Sequence, residues 1–306
     1  MRVVRGVHGA TLPPCVLTIG NFDGLHLGHA TILSEMKSIA DSQGLATAVM
    51  TFEPHPREFF AAASAPARLT SLREKLEYLG AAGVDYVVVQ HFNQRFAALD
   101  ALAFRDEIIA RQLNARHVLV GDDFRFGAKR AGDFSLLAQS IEFTARHLPT
   151  IAYHGERVSS TAVRSALSAG NVELAGHLLG RPYSMSGRVI QGDQLGRKLG
   201  FPTANIQLKH NRPPLAGIFV VEVQGLGKPW PAVASLGRRP TVKNPDALPV
   251  LEVHLFDFDR DIYRQHLQVD FLHKLRNEEK YPDLATLTAQ IAKDCEHARA
   301  WHAARQ

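Results

Sequence analysis

The run Gly20-Asn21-Phe22-Asp23-Gly24-Leu25-His26-Leu27-Gly28-His29 holds the side chains best suited to handling phosphate. It follows an apolar stretch, Val16-Leu17-Thr18-Ile19, that reads as a buried parallel strand. It precedes Ala30-Thr31-Ile32-Leu33 and Met36, which recur at helical spacing. A glycine-rich turn therefore carries a strand end into a helix start, where free backbone N–H groups and the positive end of the helix dipole favour an anion. His26 and His29 share one face of the opening turn. An imidazole donates to a phosphoryl oxygen, and a protonated one adds charge. Gly28 between them leaves room for a nucleotide to approach the backbone. The alternative is a pair of solvated helix-start histidines; His-Leu-Gly-His directly after a strand, behind Asn21 and Asp23, favours the phosphate reading.

A second group lies far along the chain. Gly187-Arg188-Val189-Ile190-Gln191-Gly192-Asp193 leads to Gly196-Arg197-Lys198-Leu199-Gly200-Phe201-Pro202-Thr203-Ala204-Asn205. Its glycines suit close backbone approach, and Arg197 and Lys198 add positive charge. In an extended stretch Thr203 and Asn205 point the same way, offering a hydroxyl and an amide oxygen. These are hard ligands suited to Mg²⁺; stabilising a turn is the commoner use of such side chains. The glycine spacing is not that of a P-loop, so P-loop mechanics do not transfer. In Val250-Leu251-Glu252-Val253-His254-Leu255 the apolar residues form one face, and Glu252 and His254 the other. Alternation alone makes that a solvent face. If the reaction starts from an alcohol, a positioned carboxylate such as Glu252 can take its proton.

These groups need elements to hold them. Leu45 to Phe52 reads as a second strand, and Glu53-Pro54-His55-Pro56-Arg57-Glu58-Phe59-Phe60 as a shaped loop in which two prolines bar a helix. His55 and Arg57 could face phosphates and the phenylalanines a flat ring, or the aromatics could simply pin the loop. Leu72 to Leu79 is a helix, Val84 to Val89 a strand, and Leu99 to Leu113 a helix with Leu102, Ile108 and Ile109 apolar. Strand Val118-Leu119-Val120 runs into Gly121-Asp122-Asp123-Phe124-Arg125-Phe126-Gly127. Ser159-Ser160-Thr161-Ala162-Val163-Arg164 opens another helix; one hydroxyl serves as a cap, and the others with Arg164 suit polyphosphate. This alternation predicts a doubly wound parallel sheet with its site at the strand carboxyl ends. After a short helix, Gly170 to Leu179, short alternating runs at Met185–Ile190, Ile218–Val223, Ala232–Leu236, Val250–Leu255 and His266–Phe271 predict an antiparallel sheet or small barrel. Asp283 to Trp301 closes as a helix with Leu284, Leu287, Ile291 and Ala298 packed on one face. The boundary falls near Arg181, dividing residues 1–180 from 181–306.

The first set of motifs resembles the nucleotidyltransferase superfamily signature His-x-Gly-His. In its longer form, with Phe52 to Phe60, Gly121 to Gly127 and Ser159 to Arg164, it resembles the FMN adenylyltransferase module of bacterial bifunctional riboflavin kinase/FAD synthetases. From Gly180 onward the chain is similar to the riboflavin kinase module, through Gly192 to Asn205, Leu215 to Phe219, Leu236-Gly237-Arg238-Arg239-Pro240-Thr241, Glu252 to Asp261 and Leu275-Arg276-Asn277-Glu278. The resemblance implies a Rossmann-like N-terminal domain and a C-terminal Greek-key barrel with a terminal helix. It implies that riboflavin becomes FMN and FMN becomes FAD, both from ATP with Mg²⁺. By that resemblance, Gly20, Asn21, His26, Gly28, His29, Ser160, Thr161 and Arg164 hold the first nucleotide, with His26 and His29 catalytic. Asp123 and Phe124 face the flavin there. In the second module Gly192 and Lys198 bind nucleotide, Thr203 and Asn205 grip Mg²⁺, Glu252 is the base, and Arg276 and Glu278 meet flavin. Two departures stand out: Ser235 where the family usually has Asn, and Arg264 where it has Gly. Neither is expected to touch the chemical residues.

Composition sets the outer limits. The chain has 306 residues, a net charge of +5 and two cysteines, Cys15 and Cys295. That length fits about two domains. No apolar run spans a bilayer, no secretory segment opens the chain, and two distant cysteines imply no disulfide framework, so a reducing cytoplasm is expected. The modest positive charge suits anionic small-molecule substrates, without the basic runs of a nucleic-acid binder. No membrane partner is expected, and an oligomer is possible but not required. The competing readings are a single active half, adenylyl transfer to another acceptor, and a flavin-binding redox protein; the barrel motifs argue against the other acceptor.

Overall fold

The computed structural model describes residues 1–8, 11–192, 195–209, 212–238 and 249–305. Asp193 and Arg239-Pro240-Thr241, which carry part of the resemblance, lie outside the described residues. By their contacts the residues form two units, Met1–Pro66 with Leu72–Ser159, and Ala67–Ser71 with Ser160–Gln306.

The first unit is a parallel sheet. Its elements in order are β1 (Arg2–Arg5), β2 (Cys15–Ile19), α1 (Leu27–Gln43), β3 (Ala46–Glu53), α2 (Pro56–Ala61), α3 (Leu72–Ala81), β4 (Tyr86–His91), α4 (Gln94–Ala97) and α5 (Ala101–Ala103). The last continues as a π-helix, Phe104–Gln112, before β5 (Ala115–Gly121), α6 (Phe134–Ala138), β6 (Thr144–Leu148) and the hairpin of β7 (Ala152–Tyr153) and β8 (Glu156–Arg157). The six-stranded sheet runs in the order β1-β4-β3-β2-β5-β6, every pair parallel. Strand β2 is buried at all five positions, as a central strand covered on both faces requires. From β2 the chain winds outward through β3 and β4, then returns to lay β5 on the other side. The winding reverses between β2 and β5, so the ligand crevice of such a sheet lies beyond their carboxyl ends.

One expectation fails here. Residues 53–60 are not all loop, because Pro56 opens α2. A proline at the first helical position loses an N–H that has no partner anyway, and its φ already suits the helix. His55 caps this helix by accepting from the Arg57 N–H, and Glu58 accepts from the His55 N–H. Within the expected 99–113 helix, Ile108 and Ile109 are buried, but Leu102 is 53% exposed.

The second unit opens with α7 (Ser160–Ser168) and α8 (Val172–Leu179). The contact division precedes α7, at Ser160 and ahead of the boundary expected near Arg181, because α7 packs on α8 and α8 on strands β9 (Tyr183–Ile190) and β14 (His266–Arg276). Between those strands come α9 (Leu195–Lys198), β10 (Ala204–Gln207), β11 (Gly217–Gln224), β12 (Trp230–Arg238) and β13 (Pro249–Leu255); α10 (Leu284–Ala303) ends the chain. The six strands close a barrel in the order β10-β13-β12-β11-β14-β9, antiparallel throughout. Along β13 the period-2 pattern holds: Leu251, Val253 and Leu255 are buried, while Glu252 and His254 lie on the outer face.

Helix α10 covers part of that outer face with Cys295 and Ala298, against Val220, Val233 and Phe256. Ala298 packs as expected, and Ile291 packs at the edge of the cluster, but Leu284 is 56% exposed. The first turn is capped by Asp283, which accepts from the Thr286 N–H. The face also carries a charge that its hydrophobic pattern hides. Asp294, 4% exposed, accepts from Arg276 Nε at 2.9 Å and from its terminal nitrogen at 2.6 Å, and from Gln290 at 2.9 Å. This fork ties the end of β14 to α10. Asp294→Ala strands the guanidinium and is expected to cost about 2 kcal/mol in urea unfolding, less than for a fully buried pair because Arg276 keeps 19% of its side chain exposed.

Candidate active sites

The turn after β2 is folded inward. Phe22 is 2% exposed and adopts a left-handed backbone, φ 47°. That conformation costs about 1–2 kcal/mol for a residue with a side chain. Burying a phenylalanine ring returns about 2–3 kcal/mol, so the turn holds. The Phe22 ring lies 4.7 Å from that of His29, and His29 stacks on His26 at 3.8 Å and 19°. His26 is itself buried, and a Cβ at Gly28 would meet the His26 ring. The space at Gly28 therefore admits the imidazole, where the sequence suggested room for nucleotide.

Burial, then the neighbouring His26 and the Lys75 ammonium, hold the His29 imidazole well below its ordinary range. His29 is therefore neutral at pH 7, which corrects the expectation of added charge from a protonated ring. It can act only as a hydrogen-bonding imidazole until an anion raises its proton affinity. The buried atoms His29 Nδ1, Asn21 Oδ1 and Thr18 Oγ1 have no hydrogen-bond partner among the described residues. Leaving such an atom unmet costs about 1–3 kcal/mol. Thr18 lies on β2, Asn21 in the turn and His29 in the first turn of α1, so all three belong to the strand-turn-helix that edges the crevice.

The loop after β5 lies at the other side of the winding reversal. Asp122 accepts from Thr150 N at 2.9 Å and Thr150 Oγ at 2.8 Å and pairs with His147 Nδ1 at 3.2 Å. The Thr150 hydroxyl, then His147, hold its carboxyl below the usual range. Asp122 thus anchors the loop, and its neighbour Asp123 projects outward to meet Arg157 at 3.0 Å. Phe124 is half-buried and stacks on Phe126 at 5.6 Å. Sequence reading missed Lys75, buried on α3 and near enough to His29 to act on its proton affinity. Its signal was a charge on an apolar helix face, between Leu72 and Leu79.

In the second unit, pairing between strands assembles residues that the sequence keeps apart. Asn205 on β10 is the direct cross-strand partner of Glu252 on β13, whose other partner is Ser235 on β12. Residues so paired hold their Cβ atoms about 5 Å apart on one face. A Cβ at Gly192 would collide with the Asn205 amide, so that loop's backbone lies directly against it. Ser235 Oγ donates to Glu278 Oε1 at 3.4 Å. The departure at Ser235 therefore does touch the candidate chemistry, contrary to expectation; only the barrel register could reveal it. Arg264 keeps a glycine-like backbone, φ 66°, and its N–H donates to Val189 O at 2.9 Å, so the turn survives that departure. Thr203 immediately precedes β10 and is half-buried. Thr203 and Asn205 fit a hard cation by donor type, since a hydroxyl and an amide oxygen beside a carboxylate are oxygen ligands of the kind Mg²⁺ takes. Arg276 is committed to Asp294, whereas Glu278 reaches the row at Ser235. On α7, Ser160 and Thr161 stand in the first turn, and Arg164 Nε donates to Ala67 O at 2.6 Å.

A doubly wound parallel sheet with paired histidines at its winding reversal, followed in the same chain by a closed antiparallel barrel with a carboxylate on its outer face, defines a two-domain nucleotide-using transferase. Residues 9–162 match the FAD synthetase family and residues 179–302 the riboflavin kinase family. A bifunctional riboflavin kinase/FMN adenylyltransferase of Escherichia coli is 48% identical over 96% of this chain and 96% of its own. That of Haemophilus influenzae is 44% identical over 98% of this chain and 99% of its own. The chain belongs to the bifunctional riboflavin kinase/FMN adenylyltransferase family of flavin cofactor synthesis. A solved Streptococcus pneumoniae structure, described as a macrolide-efflux protein, has a TM-score of 0.85 and 28% identity, covering 98% of this chain and all of that one. Among the described residues no helix is long and apolar enough to cross a membrane.

The lowered His29 value has a measurable sign. As pH falls below the ordinary 6.5, the unfolded chain takes up a proton that folded His29 refuses. Its contribution is intact above that value and declines toward acid. Between about pH 7.5 and about pH 5, His29→Gln is expected to lose less melting temperature than wild type does.

Proposed function

We propose that the chain makes FMN from riboflavin and ATP within residues 181–306, and FAD from FMN and ATP within residues 1–180, releasing pyrophosphate. The observation that carries the kinase half is Asn205 beside Glu252 in strand register. The riboflavin hydroxyl must lose its proton as its oxygen bonds the γ-phosphorus and ADP departs, and Glu252 takes that proton. Thr203 and Asn205 would hold Mg²⁺, which when bound neutralises phosphate charge. Gly192 brings backbone against the nucleotide and Glu278 orients the flavin; the side chain of Lys198, expected to bind nucleotide by resemblance, lies outside what the structure describes. Arg276 acts on flavin chiefly by fixing the segment that carries Glu278.

FMN adenylylation needs no such base. The FMN phosphate is ionised at neutral pH and attacks the α-phosphorus directly. The work lies in holding the reactants and stabilising charge on the α-phosphate and departing pyrophosphate. His26 and His29 serve as hydrogen-bond donors, His29 as a neutral imidazole, with Gly20, Asn21 and Gly28 shaping the turn. Ser160, Thr161 and Arg164 take phosphate oxygens, and Asp123 and Phe124 face the flavin. The partners are small molecules, and the setting is the cytoplasm.

Two variants separate the halves. With riboflavin and Mg-ATP, His29→Ala is expected to accumulate FMN while FAD formation falls by about 10²-fold or more. Glu252→Ala should lose FMN formation by about 10²–10⁴-fold yet still adenylylate added FMN. Chromatography of the flavins reads both. Loss of both reactions in either folded variant would refute separate sites.

A further inference from the structure

Lys75 lies on the apolar side of α3, three residues after Leu72 and four before Leu79, and is 5% exposed. Lysine is rarely buried so far, and an ammonium that is tends to hold a structural charge pair or to serve a site that handles negative charge. Its Nζ donates to Thr51 Oγ1 at 3.3 Å, and that hydroxyl donates to the Asn21 carbonyl at 3.2 Å. Thr51 is fully buried near the carboxyl end of β3. A short relay therefore joins α3 and β3 to the turn that follows β2. The Lys75 charge is also near enough to depress the proton affinity of His29.

This matters for the chemistry. With His29 neutral, that imidazole brings no fixed charge to the turn, while adenylyl transfer develops negative charge on the α-phosphate and on pyrophosphate. A preorganised positive group in a site shielded from water is worth far more than one in solvent. On the adenylyl-transfer reading above, we propose that Lys75 is a positioning residue of that site: it locks Thr51 onto the Asn21 carbonyl, fixing the turn that carries the histidines, and supplies a built-in positive field for the polyphosphate.

A lysine that merely fastened α3 to β3 would affect stability, and the catalytic step no more than anything else. The full-length variants Lys75→Met, Lys75→Arg and Thr51→Val separate the two roles. FMN adenylylation is measured across ATP concentrations, with riboflavin phosphorylation by the same preparation as the internal control. Lys75→Met is expected to lower the adenylylation kcat by about 10- to 100-fold, with KM for ATP moving less than about threefold. Lys75→Arg should restore much of the rate, and riboflavin phosphorylation should not change. Thr51→Val should reproduce part of the loss, and the double variant should be no worse than Lys75→Met, because the relay acts as a unit. Adenylylation within about twofold of wild type in Lys75→Met would overturn the proposal. So would a parallel fall of both activities and of the melting temperature, or losses that multiply in the double variant. If Lys75→Met does not fold, Thr51→Val decides: an unchanged adenylylation kcat refutes the relay. A wild-type protein that makes FMN but no FAD would sink the adenylyl-transfer reading itself, before any variant is compared.

Discussion

A single buried ring governs the adenylyl half. Phe22 is forced into a left-handed backbone so that its side chain can fill the space under His29. Once it is there, His29 has one side occupied and stacks His26 on another. The histidines are then held against one another, and burial of the His29 ring strips it of its proton. His29 is thereby limited to directed hydrogen bonds. A protonated pair would bring charge but would also repel itself across 3.8 Å. A neutral His29 escapes that cost and leaves fixed charge to other residues.

The barrel solves a different problem by different means. Its interior is filled with apolar side chains, so chemistry can lie only on the outer face. Antiparallel pairing then does the positioning. Register places Asn205, Glu252 and Ser235 side by side although 30 and more residues separate Asn205 from the others in sequence. A shift of one residue in β13 would turn Glu252 into the core and Val253 outward. Register is strongly specified here because Leu251 and Val253 are fully buried. The same packing energy that closes the barrel therefore aims the carboxylate.

How far the sequence discloses these sites follows from the range of the interactions. The strand-turn-helix around His26 and His29 is local, and periodicity with glycine spacing reveals it. The outward placement of Glu252 is equally local, from period-2 alternation along β13. Helix α2 was missed through a local rule applied too broadly, since proline is barred from helix interiors and not from the first position. The register row, the Asp294 fork on Arg276 and the Lys75–Thr51–Asn21 relay are different in kind. Each joins residues that only tertiary packing brings together, so spacing carries no trace of the pairing. What the sequence does carry is the anomaly at one end: Lys75 and Asp294 both interrupt apolar helix faces. A charge in such a position signals a buried partner or ligand without saying which.

The two reactions differ in what they ask of protein, and the two sites differ accordingly. Riboflavin offers a hydroxyl that is a poor nucleophile until a proton leaves, and on the proposed assignment Glu252, aimed by strand register, is the carboxylate that takes it. FMN offers an oxygen already charged. A strong base there would add nothing, and a carboxylate would repel the incoming phosphate. On the proposed assignment the turn after β2 suits that second demand: His29 is neutral and Asn21 is an amide, and the Lys75 ammonium lies near enough to act on His29. Asp23 is the exception in sequence, and it is 4% exposed, buried within the turn. The product of one chemistry is the substrate of the other, and on the proposed assignment the change from neutral alcohol to phosphate dianion is the change in charge that separates a site built around Glu252 from one built around imidazoles.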